Sequence, residues 1–406
     1  MHKIKNVIWK YDFSRMGRFL LSVLFNIILL NAQELPKDMK LHFAKQTVTK
    51  NPKYLQPVID PVYKTKITRI TDFKTFDNSY PRHRYSKNQP FNCNSTLIKL
   101  QTKWLIDAKT YKIIKKFPKS IHFNTSIWSH KNPNILYIFR DDGIILKYNV
   151  KNDHLQKICK IKGYDRVALG PNEGNIDTND HYAAFACKKG EDLDIIIFDF
   201  YKRKIIKKRR FAKKWGSSYN PSWFDWISIS QSGKYVIILW NKKIKDNFKS
   251  GDVKVYNTFD LSFRATLYNY GNHGDICYDS FNNEVYVQFA GKAKINAYRL
   301  KDAKSMAIHQ NPEFETGASR HLSCRNYRQK GWCYISTQKN GLVLAVKLDG
   351  SGKVKYITAH NSTQQNYLKT ASAVPNPDGS KILFSSDWQN RDKEVVFDYI
   401  AEKCEK

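Results

Sequence analysis

A short run of apolar and β-branched residues, preceded by a polar turn, recurs seven times along the chain. The runs begin at intervals of about 40 to 50 residues. They are residues 95–100, 134–139, 181–186, 234–239, 283–288, 331–336 and 380–385. Because short β-rich runs bounded by turn residues are typical of strands, each run predicts a β-strand.

Each repeat contains further predicted strands. A third strand is predicted at residues 144–148, 194–198, 253–256, 293–298, 342–347 and 394–399. A fourth is predicted at residues 204–211 and 353–358. A repeat of this length made of several short strands is the signature of a β-propeller blade. The pattern therefore predicts an all-β fold, a single seven-bladed β-propeller with four-stranded blades.

The last repeat ends at its third strand, because little chain follows Ile400. Residues 66–72, which precede the first blade, are predicted to supply the missing strand and close the ring. Such closure removes the exposed sheet edges that promote aggregation. No long amphipathic helix and no linker composition follow residue 60. We predict a propeller over residues 64–402, preceded by an N-terminal arm over residues 33–63.

The first 32 residues have the order of a secretory signal peptide. Cations precede an apolar run from Phe19 to Leu30, and Ala32 lies at the predicted cut. The run is shorter than the roughly 20 residues of a membrane span. Since Asn26 interrupts it and Leu30 is not a small residue, an uncleaved anchor is the alternative. We expect a secreted or periplasmic monomer without a stable membrane span after cleavage.

The charge of the chain is strongly unbalanced. Sixty-nine Lys and Arg against 36 Asp and Glu give a formal net charge of +33. This excess favours a polyanionic partner such as an acidic polysaccharide, an anionic surface or nucleic acid. A Lys-rich composition inherited from an AT-rich genome is the alternative explanation. Because the predicted export disfavours nucleic acid, we expect an acidic polysaccharide as the partner.

The seven cysteines form no CxxC pair, and their number is odd. A chain of this size with 41% hydrophobic residues does not need a disulfide scaffold. We predict that most of them are small buried hydrophobic residues.

Residues 376–387 resemble the S-P-D-G-x-x-I-x-F-x-S-D repeat of TolB-type propellers, with Asn376 in place of the usual Ser, and residues 230–240 are a weaker copy. The Pro-Asp-Gly turn of this repeat, residues 377–379, specifies a fold and not a chemistry. Among secreted propellers of this type, the chain is similar to the oligogalacturonate-lyase-like and ulvan-lyase-like polysaccharide lyases. The resemblance implies a propeller that presents His residues on one face and acts on a polysaccharide.

The blades of a propeller surround a central channel, and the segments that precede the innermost strands lie at the mouth of that channel. His273 and His321 occupy equivalent places in adjacent repeats, and His83 lies near the corresponding place in the first. Imidazoles with a nearby carboxylate such as Asp275 suit a divalent metal ion or an acid–base site. The predicted metal ligands are His273, His321 and Asp275. The alternative is that each His forms hydrogen bonds within its own loop.

Elimination beside a uronate requires three groups: a base for the proton α to the carboxylate, an acid for the leaving oxygen, and a cation for the carboxylate. The predicted bases are His83, His273 and His321. The predicted acid is Tyr85 or Tyr278.

Arg84, Arg320 and Arg325 flank these histidines and are predicted to hold a substrate carboxylate. A salt bridge or a solvated rim is the alternative for each. Trp223 and Trp226 belong to an aromatic-rich segment and are predicted to stack on sugar faces. The alternative for these two is packing between blades.

Nine cations between residues 202 and 214 alternate with apolar residues, which predicts an outer edge strand protected by charge. No P-loop, GxGxxG, HExxH or GxSxG motif occurs, so nucleotide-dependent, zincin and α/β-hydrolase chemistry are unsupported. Two hypotheses remain. One is an exported propeller that binds and cleaves an acidic polysaccharide by β-elimination. The other is a non-catalytic propeller that binds a glycan or a protein through its channel face.

Overall fold

The computed structural model describes residues 50–404 except 102, 119–120, 122–125, 170–173, 191, 213–223, 241–252, 268–273, 291–293, 311–320, 339 and 392–394. The predicted signal peptide and the first part of the predicted arm lie outside the described residues. Among the described residues, no helix is long and apolar enough to span a membrane.

The strands follow one another around a ring of sheets. Blade 1 contains β3 (Leu97–Leu100), β4 (Trp104–Asp107) and β5 (Ile113–Lys116). Blade 2 contains β6 (Ser126–Trp128), β7 (Ile135–Phe139), β8 (Ile144–Asn149) and β9 (His154–Lys160). Blade 3 contains β10 (Arg166–Ala168), β11 (Tyr182–Lys189), β12 (Asp192–Asp199) and β13 (Lys204–Ala212). Blade 4 contains β14 (Phe224–Ile229), β15 (Tyr235–Trp240), β16 (Val253–Asn257) and β17 (Phe263–Leu267).

The remaining blades have the same strand order. Blade 5 contains β18 (Asp275–Tyr278), β19 (Glu284–Phe289), β20 (Lys294–Arg299) and β21 (Ser305–Gln310). Blade 6 contains β22 (His321–Ser323), β23 (Trp332–Ser336), β24 (Leu342–Lys347) and β25 (Val354–Ala359). Blade 7 contains β26 (Val374–Pro375), β27 (Lys381–Ser386) and β28 (Phe397–Lys403), to which β2 (Thr65–Arg69) and β1 (Val58–Ile59) are added. A 3₁₀ turn, Tyr367–Lys369, precedes β26.

The predicted seven-bladed propeller of antiparallel sheets is confirmed. Neighbouring strands within each sheet pair in antiparallel fashion, and the seven repeated runs of the sequence correspond to the second strands of the blades. In blade 1 the innermost position is held by Phe91, which forms an antiparallel bridge with Ile98 of β3. Gly379 has a φ of 71° in the turn between β26 and β27, as the Pro-Asp-Gly motif requires.

The predicted closure of the ring is also confirmed. β2 pairs with β28, with Ile67 opposite Ala401, so a strand from before blade 1 completes the last sheet. β1 then pairs with β2 as an additional outer strand. The N-terminal and C-terminal parts of the propeller are thus held in one sheet.

The core lies between adjacent blades. Because each sheet packs on both faces, its inner strands are buried on both sides, as in β19, where all six residues are buried. One such core joins blades 5 and 6 through Val285, Val287, Leu344 and Val346. The rigid packing of these cores fixes where each innermost strand begins.

The cation-rich segment forms β13, the outer strand of blade 3, as the alternation predicts. Lys208 Nζ and Arg210 Nε each lie 3.1 Å from the carboxylate of Asp194 on β12. These two cations lower the pKa of Asp194 against the opposing effect of burial. The segment therefore protects a sheet edge and anchors it to the neighbouring strand.

Candidate functional site

The innermost strands of a propeller run in one direction along the channel, so their first residues share one face of the ring, which we term the entry face. Asp275 and His321 are the first residues of β18 and β22, and Ser126 is the first residue of β6. Tyr278 is the last residue of β18. The predicted acid Tyr278 therefore lies at the opposite end of its strand from the entry face.

The segment that leads into blade 1 crosses the channel. Asn175, from blade 3, donates from Nδ2 to the carbonyl oxygen of Lys87 at 3.2 Å. Gln89 donates from Nε2 to the carbonyl oxygens of Arg325 and Pro375, both at 3.0 Å, in blades 6 and 7. One stretch of chain thus contacts three other blades and brings its side chains to the middle of the ring.

His83 is fully buried and joins blade 1 to blade 7. Its Nδ1 lies 3.1 Å from Asp398 Oδ1 and its Nε2 lies 2.7 Å from the carbonyl oxygen of Ser372. Ser385 Oγ donates to the same Asp398 oxygen at 2.6 Å. Ser385 donates its hydrogen bond to the carboxylate, and all three side chains are shielded from solvent, so His83, Asp398 and Ser385 do not form a nucleophilic triad. Their hydrogen bonds instead hold blade 1 against blade 7.

His321 lies in an aromatic cluster with Tyr85 and Tyr367. The ring of His321 meets Tyr85 edge to face, with centroids 5.0 Å apart, and its centroid lies 6.1 Å from that of Tyr367. Tyr85 stacks on Tyr367 at 6.3 Å. His321 is 2% exposed, whereas Tyr367 is 61% exposed. The cluster therefore reaches solvent through Tyr367.

Tyr367 was not among the site residues predicted from the sequence. It lies seven residues before Val374, in the entry segment that leads into the innermost strand β26. The side chain of Asn366 caps the 3₁₀ turn by accepting the amide of Lys369, and this cap positions Tyr367. An Asn cap before an entry segment is the signal that could have located it.

Trp226 is 1% exposed and packs between blades 4 and 5, with its centroid 6.2 Å from that of Tyr286. Lys87 Nζ lies 4.9 Å from the Trp226 ring and 5.9 Å from the Tyr85 ring. Trp226 therefore packs between blades, which was the alternative to stacking on a sugar. A sugar face does not reach Trp226, and the ring instead supports a buried ammonium group.

Arg84 and Lys99 line one concave surface together with Asn88, Gln89 and Gln101. Lys99 Nζ donates to Ser126 Oγ at 2.9 Å, at the start of β6 and thus at the entry face. Burial and the charge of Arg84 lower the pKa of Lys99 to about 7. Lys99 was not predicted as a site residue, because in the sequence it is one polar position inside a strand.

Asp275 and Arg325 form a buried ion pair. Arg325 Nε donates to Asp275 Oδ2 at 3.0 Å and Nη2 donates to Oδ1. The amides of Cys324 and Ile276 donate to the two oxygens, each at 2.8 Å. These four hydrogen bonds occupy both carboxylate oxygens of Asp275. The same carboxylate neutralises the charge of Arg325. Arg325, which was predicted to hold a substrate carboxylate, is thus paired with a carboxylate of the chain itself.

The predicted metal ligands do not form a site among the described residues. Asp275 already accepts four hydrogen bonds, and His273 lies outside the described residues. In the part of the chain that the structure describes, no three His, Cys, Asp or Glu side chains are grouped so as to hold a metal ion. The described residues therefore do not fit a divalent ion.

Two more predicted site residues, Arg320 and Trp223, lie outside the described residues. Tyr278, at the far end of β18, lies under Lys330, whose Nζ is 4.3 Å from the ring. Burial raises the pKa of Tyr278. Of the predicted set, the described structure brings Tyr85 and His321 into contact and places Arg84 on the concave surface.

Comparison with known proteins shows the fold. No protein-family model and no curated protein sequence matches the chain. An oligogalacturonate lyase in complex with manganese superposes with a TM-score of 0.61 and 11% identity, over 86% of this chain and 96% of that chain. An oligogalacturonate lyase from Vibrio parahaemolyticus gives a TM-score of 0.58 and 11% identity, over 86% and 96%.

The Pan2 WD40 domain of Neurospora crassa also matches, with a TM-score of 0.53 and 9% identity, over 86% of this chain and 98% of that chain. The structural resemblance to oligogalacturonate-lyase propellers is thus confirmed. Because a propeller of a different kind matches nearly as well, the likeness is one of fold.

Proposed function

We propose that the protein binds an acidic, uronic-acid polysaccharide at the entry face through the concave surface of Arg84 and Lys99. The observation that carries this proposal is the pair of cations on one surface, where burial and Arg84 lower the pKa of Lys99 to about 7. A carboxylate bound there would relieve the repulsion between the two cations and form charge-assisted hydrogen bonds. A neutral glycan offers no such gain.

The aromatic cluster supports the same proposal. Arg82 donates from Nη1 to the carbonyl oxygen of Leu368, which ties the turn carrying Tyr367 to the segment carrying Arg84. The exposed ring of Tyr367 offers a flat apolar face with a polar edge, which suits a sugar ring. The net charge of +33 would also steer a polyanion towards the protein.

We further propose cleavage by β-elimination as a second function at this site. It is favoured by the similarity to two structures named oligogalacturonate lyase and by the contact between His321 and Tyr85. His321 would accept the proton α to the carboxylate, a carbon–carbon double bond would form, and the bond to the leaving oxygen would break. Tyr85 would return a proton to that oxygen.

A divalent ion remains a separate prediction. One neighbour is a manganese complex, but the described residues of this chain do not supply a ligand group. None of the proposed roles of Arg84, Lys99, His321 or Tyr85 requires an ion. Metal analysis of the purified full chain, before and after dialysis against a chelator, tests the prediction directly.

The test of binding uses the full chain and a panel of uronic-acid polysaccharides, with neutral polysaccharides as controls. We expect Lys99→Met to weaken binding by about tenfold, because a hydrogen bond to a charged group is lost. The matched control is Lys112→Met, which removes the same charge from an exposed position and should leave the affinity within about twofold. Equal losses in the two variants would reject the proposed surface.

The test of cleavage follows the ultraviolet absorbance of the same mixtures, since elimination forms an unsaturated uronide. We expect His321→Ala to lower the rate by more than about a hundredfold. Binding without any rise in absorbance would reject cleavage and favour the non-catalytic propeller. Export is proposed on the N-terminal segment alone, and the N-terminal residue of the mature protein tests it.

A further inference from the structure

Three of the seven cysteines lie in one apolar core between blades 5 and 6. Cys277, Cys324 and Cys333 are all buried there, with exposed fractions of 5%, 0% and 0%. The Sγ atoms of Cys324 and Cys333 are 2.8 Å apart. This separation is within about 0.8 Å of the length of a disulfide bond.

The strand register explains why these two thiols meet. β22 and β23 are antiparallel, with Leu322 opposite Ile335 and Ser323 opposite Tyr334. One further step along this register places Cys324 opposite Cys333. Directly opposed residues of antiparallel strands point to the same side and have Cα atoms about 4.5 or 5.5 Å apart, according to their hydrogen bonding. Both values are within the range of about 4.4 to 6.8 Å that a disulfide requires.

We propose that Cys324 and Cys333 are an oxidation site that forms a cross-strand disulfide within blade 6. Cys277, in the adjacent blade, also forms a side-chain hydrogen bond with Cys324. Because it lies in a different sheet and is not opposed to Cys324 in a strand register, we expect it to remain a thiol. The bond forms by exchange with an external disulfide, such as glutathione disulfide or that of a thiol oxidase. Cys324 attacks one sulfur of this oxidant and releases a thiol. Cys333 then attacks the mixed disulfide and releases the second thiol, so two electrons pass to the oxidant.

The burial of the pair determines when oxidation takes place. Burial raises the pKa of both thiols, and only the thiolate attacks a disulfide. With both side chains shielded from solvent, the exchange occurs while the chain folds, before the core between the two blades closes. The completed bond is then protected from soluble reductants.

The bond would lie beside the ion pair of Asp275 and Arg325. The amide of Cys324 donates to Asp275, and the next residue, Arg325, pairs with the same carboxylate. His321 begins the strand that Cys324 follows. A link from Cys324 to Cys333 therefore ties the end of β22, the strand that His321 begins, to the second strand of the blade.

The sequence allows a direct test by mass spectrometry. Trypsin separates the three cysteines into residues 265–292, 321–325 and 331–339. The full chain is produced in a bacterial host with an oxidising cytosol, so that the outcome does not depend on export. Free thiols are alkylated in denaturant before digestion. We expect a linked pair of the peptides 321–325 and 331–339, which disappears when the sample is reduced first, and an alkylated peptide 265–292.

Two outcomes would overturn the proposal: alkylation of all three peptides, or a link from peptide 265–292 to either of the others. Cys277→Ala should keep the link and Cys333→Ala should abolish it. Because Cys333→Ala removes a buried side chain, the comparison of the native chain with and without reduction remains decisive if this variant does not fold. The result is independent of polysaccharide binding, so either proposal can fail without the other.

Discussion

Two histidines that were predicted near corresponding places of their repeats, His83 and His321, have opposite surroundings. His83 is completely enclosed, and both ring nitrogens lie within hydrogen-bonding distance of groups in blade 7. His321 lies against two tyrosine rings, one of which is largely exposed. The first histidine therefore holds the ring closed, and the second is connected to the surface where a ligand would arrive.

The cations considered as substrate ligands divide in the same way. Arg325 is neutralised by Asp275 within the core. Lys99 shares a concave surface with Arg84, and burial together with the charge of Arg84 lowers the pKa of Lys99 to about 7. Charge that the chain itself compensates contributes to structure, whereas the proposed binding surface rests on two cations that share a concave surface.

The largest expected effect is on stability, from His83→Ala. The substitution removes partners from the carboxylate of Asp398 and from the carbonyl of Ser372, both buried, so we expect the free energy of unfolding to fall by about 3 kcal/mol. Urea denaturation measures it, with His154→Ala on the exposed strand β9 as the control. A loss below about 0.5 kcal/mol would show that His83 does not fasten the ring.

The propeller ring could be predicted from the sequence because the pattern of each strand is contained in a short segment of the chain. Each blade repeats the same run of apolar residues, and the strand at residues 66–72 was identified because the last repeat lacked one. The strand β13 was predicted correctly for a similar reason, since its cations alternate with apolar residues within a single segment.

The site could be predicted only in part, because its contacts are not local. His83 and Asp398 are 315 positions apart, and Asp275 and Arg325 are 50 apart, so no local pattern indicates that they satisfy one another. Lys99 is inconspicuous in its strand until the fold places it beside Arg84. The equivalence of positions between blades indicated which segments meet, but the partners within those segments depend on the tertiary packing.

A smaller effect is expected in the pH dependence conferred by Lys99. Its pKa of about 7 in the folded protein lies below the ordinary lysine value of 10.5, so between these values the unfolded chain binds more protons. The contribution of Lys99 to stability therefore rises from pH 7 to pH 10.5. Affinity for an anionic ligand should fall over the same range as the ammonium group loses its proton.

The comparison of the native chain with Lys99→Met isolates this contribution, because all other titrating groups are common to both. Urea midpoints and polysaccharide affinities are measured at intervals of pH. We expect the stability of the native chain relative to the variant to increase above pH 7, and its advantage in affinity to shrink. Parallel curves for the two proteins would contradict the assignment of Lys99 as the responsible group.

The smallest effect is expected from Tyr367→Ala. Because Tyr367 is 61% exposed, its removal should cost less than about 1 kcal/mol of stability. If the ring contacts a sugar face, however, the loss of one stacking contact should weaken polysaccharide binding by about fivefold, which corresponds to about 1 kcal/mol. The matched control is Phe259→Ala, an 86% exposed aromatic in the turn between β16 and β17. Similar affinities for the two variants would confine binding to the concave surface of Arg84 and Lys99. The proposal that His321 lies next to the bound polysaccharide would then lose its support.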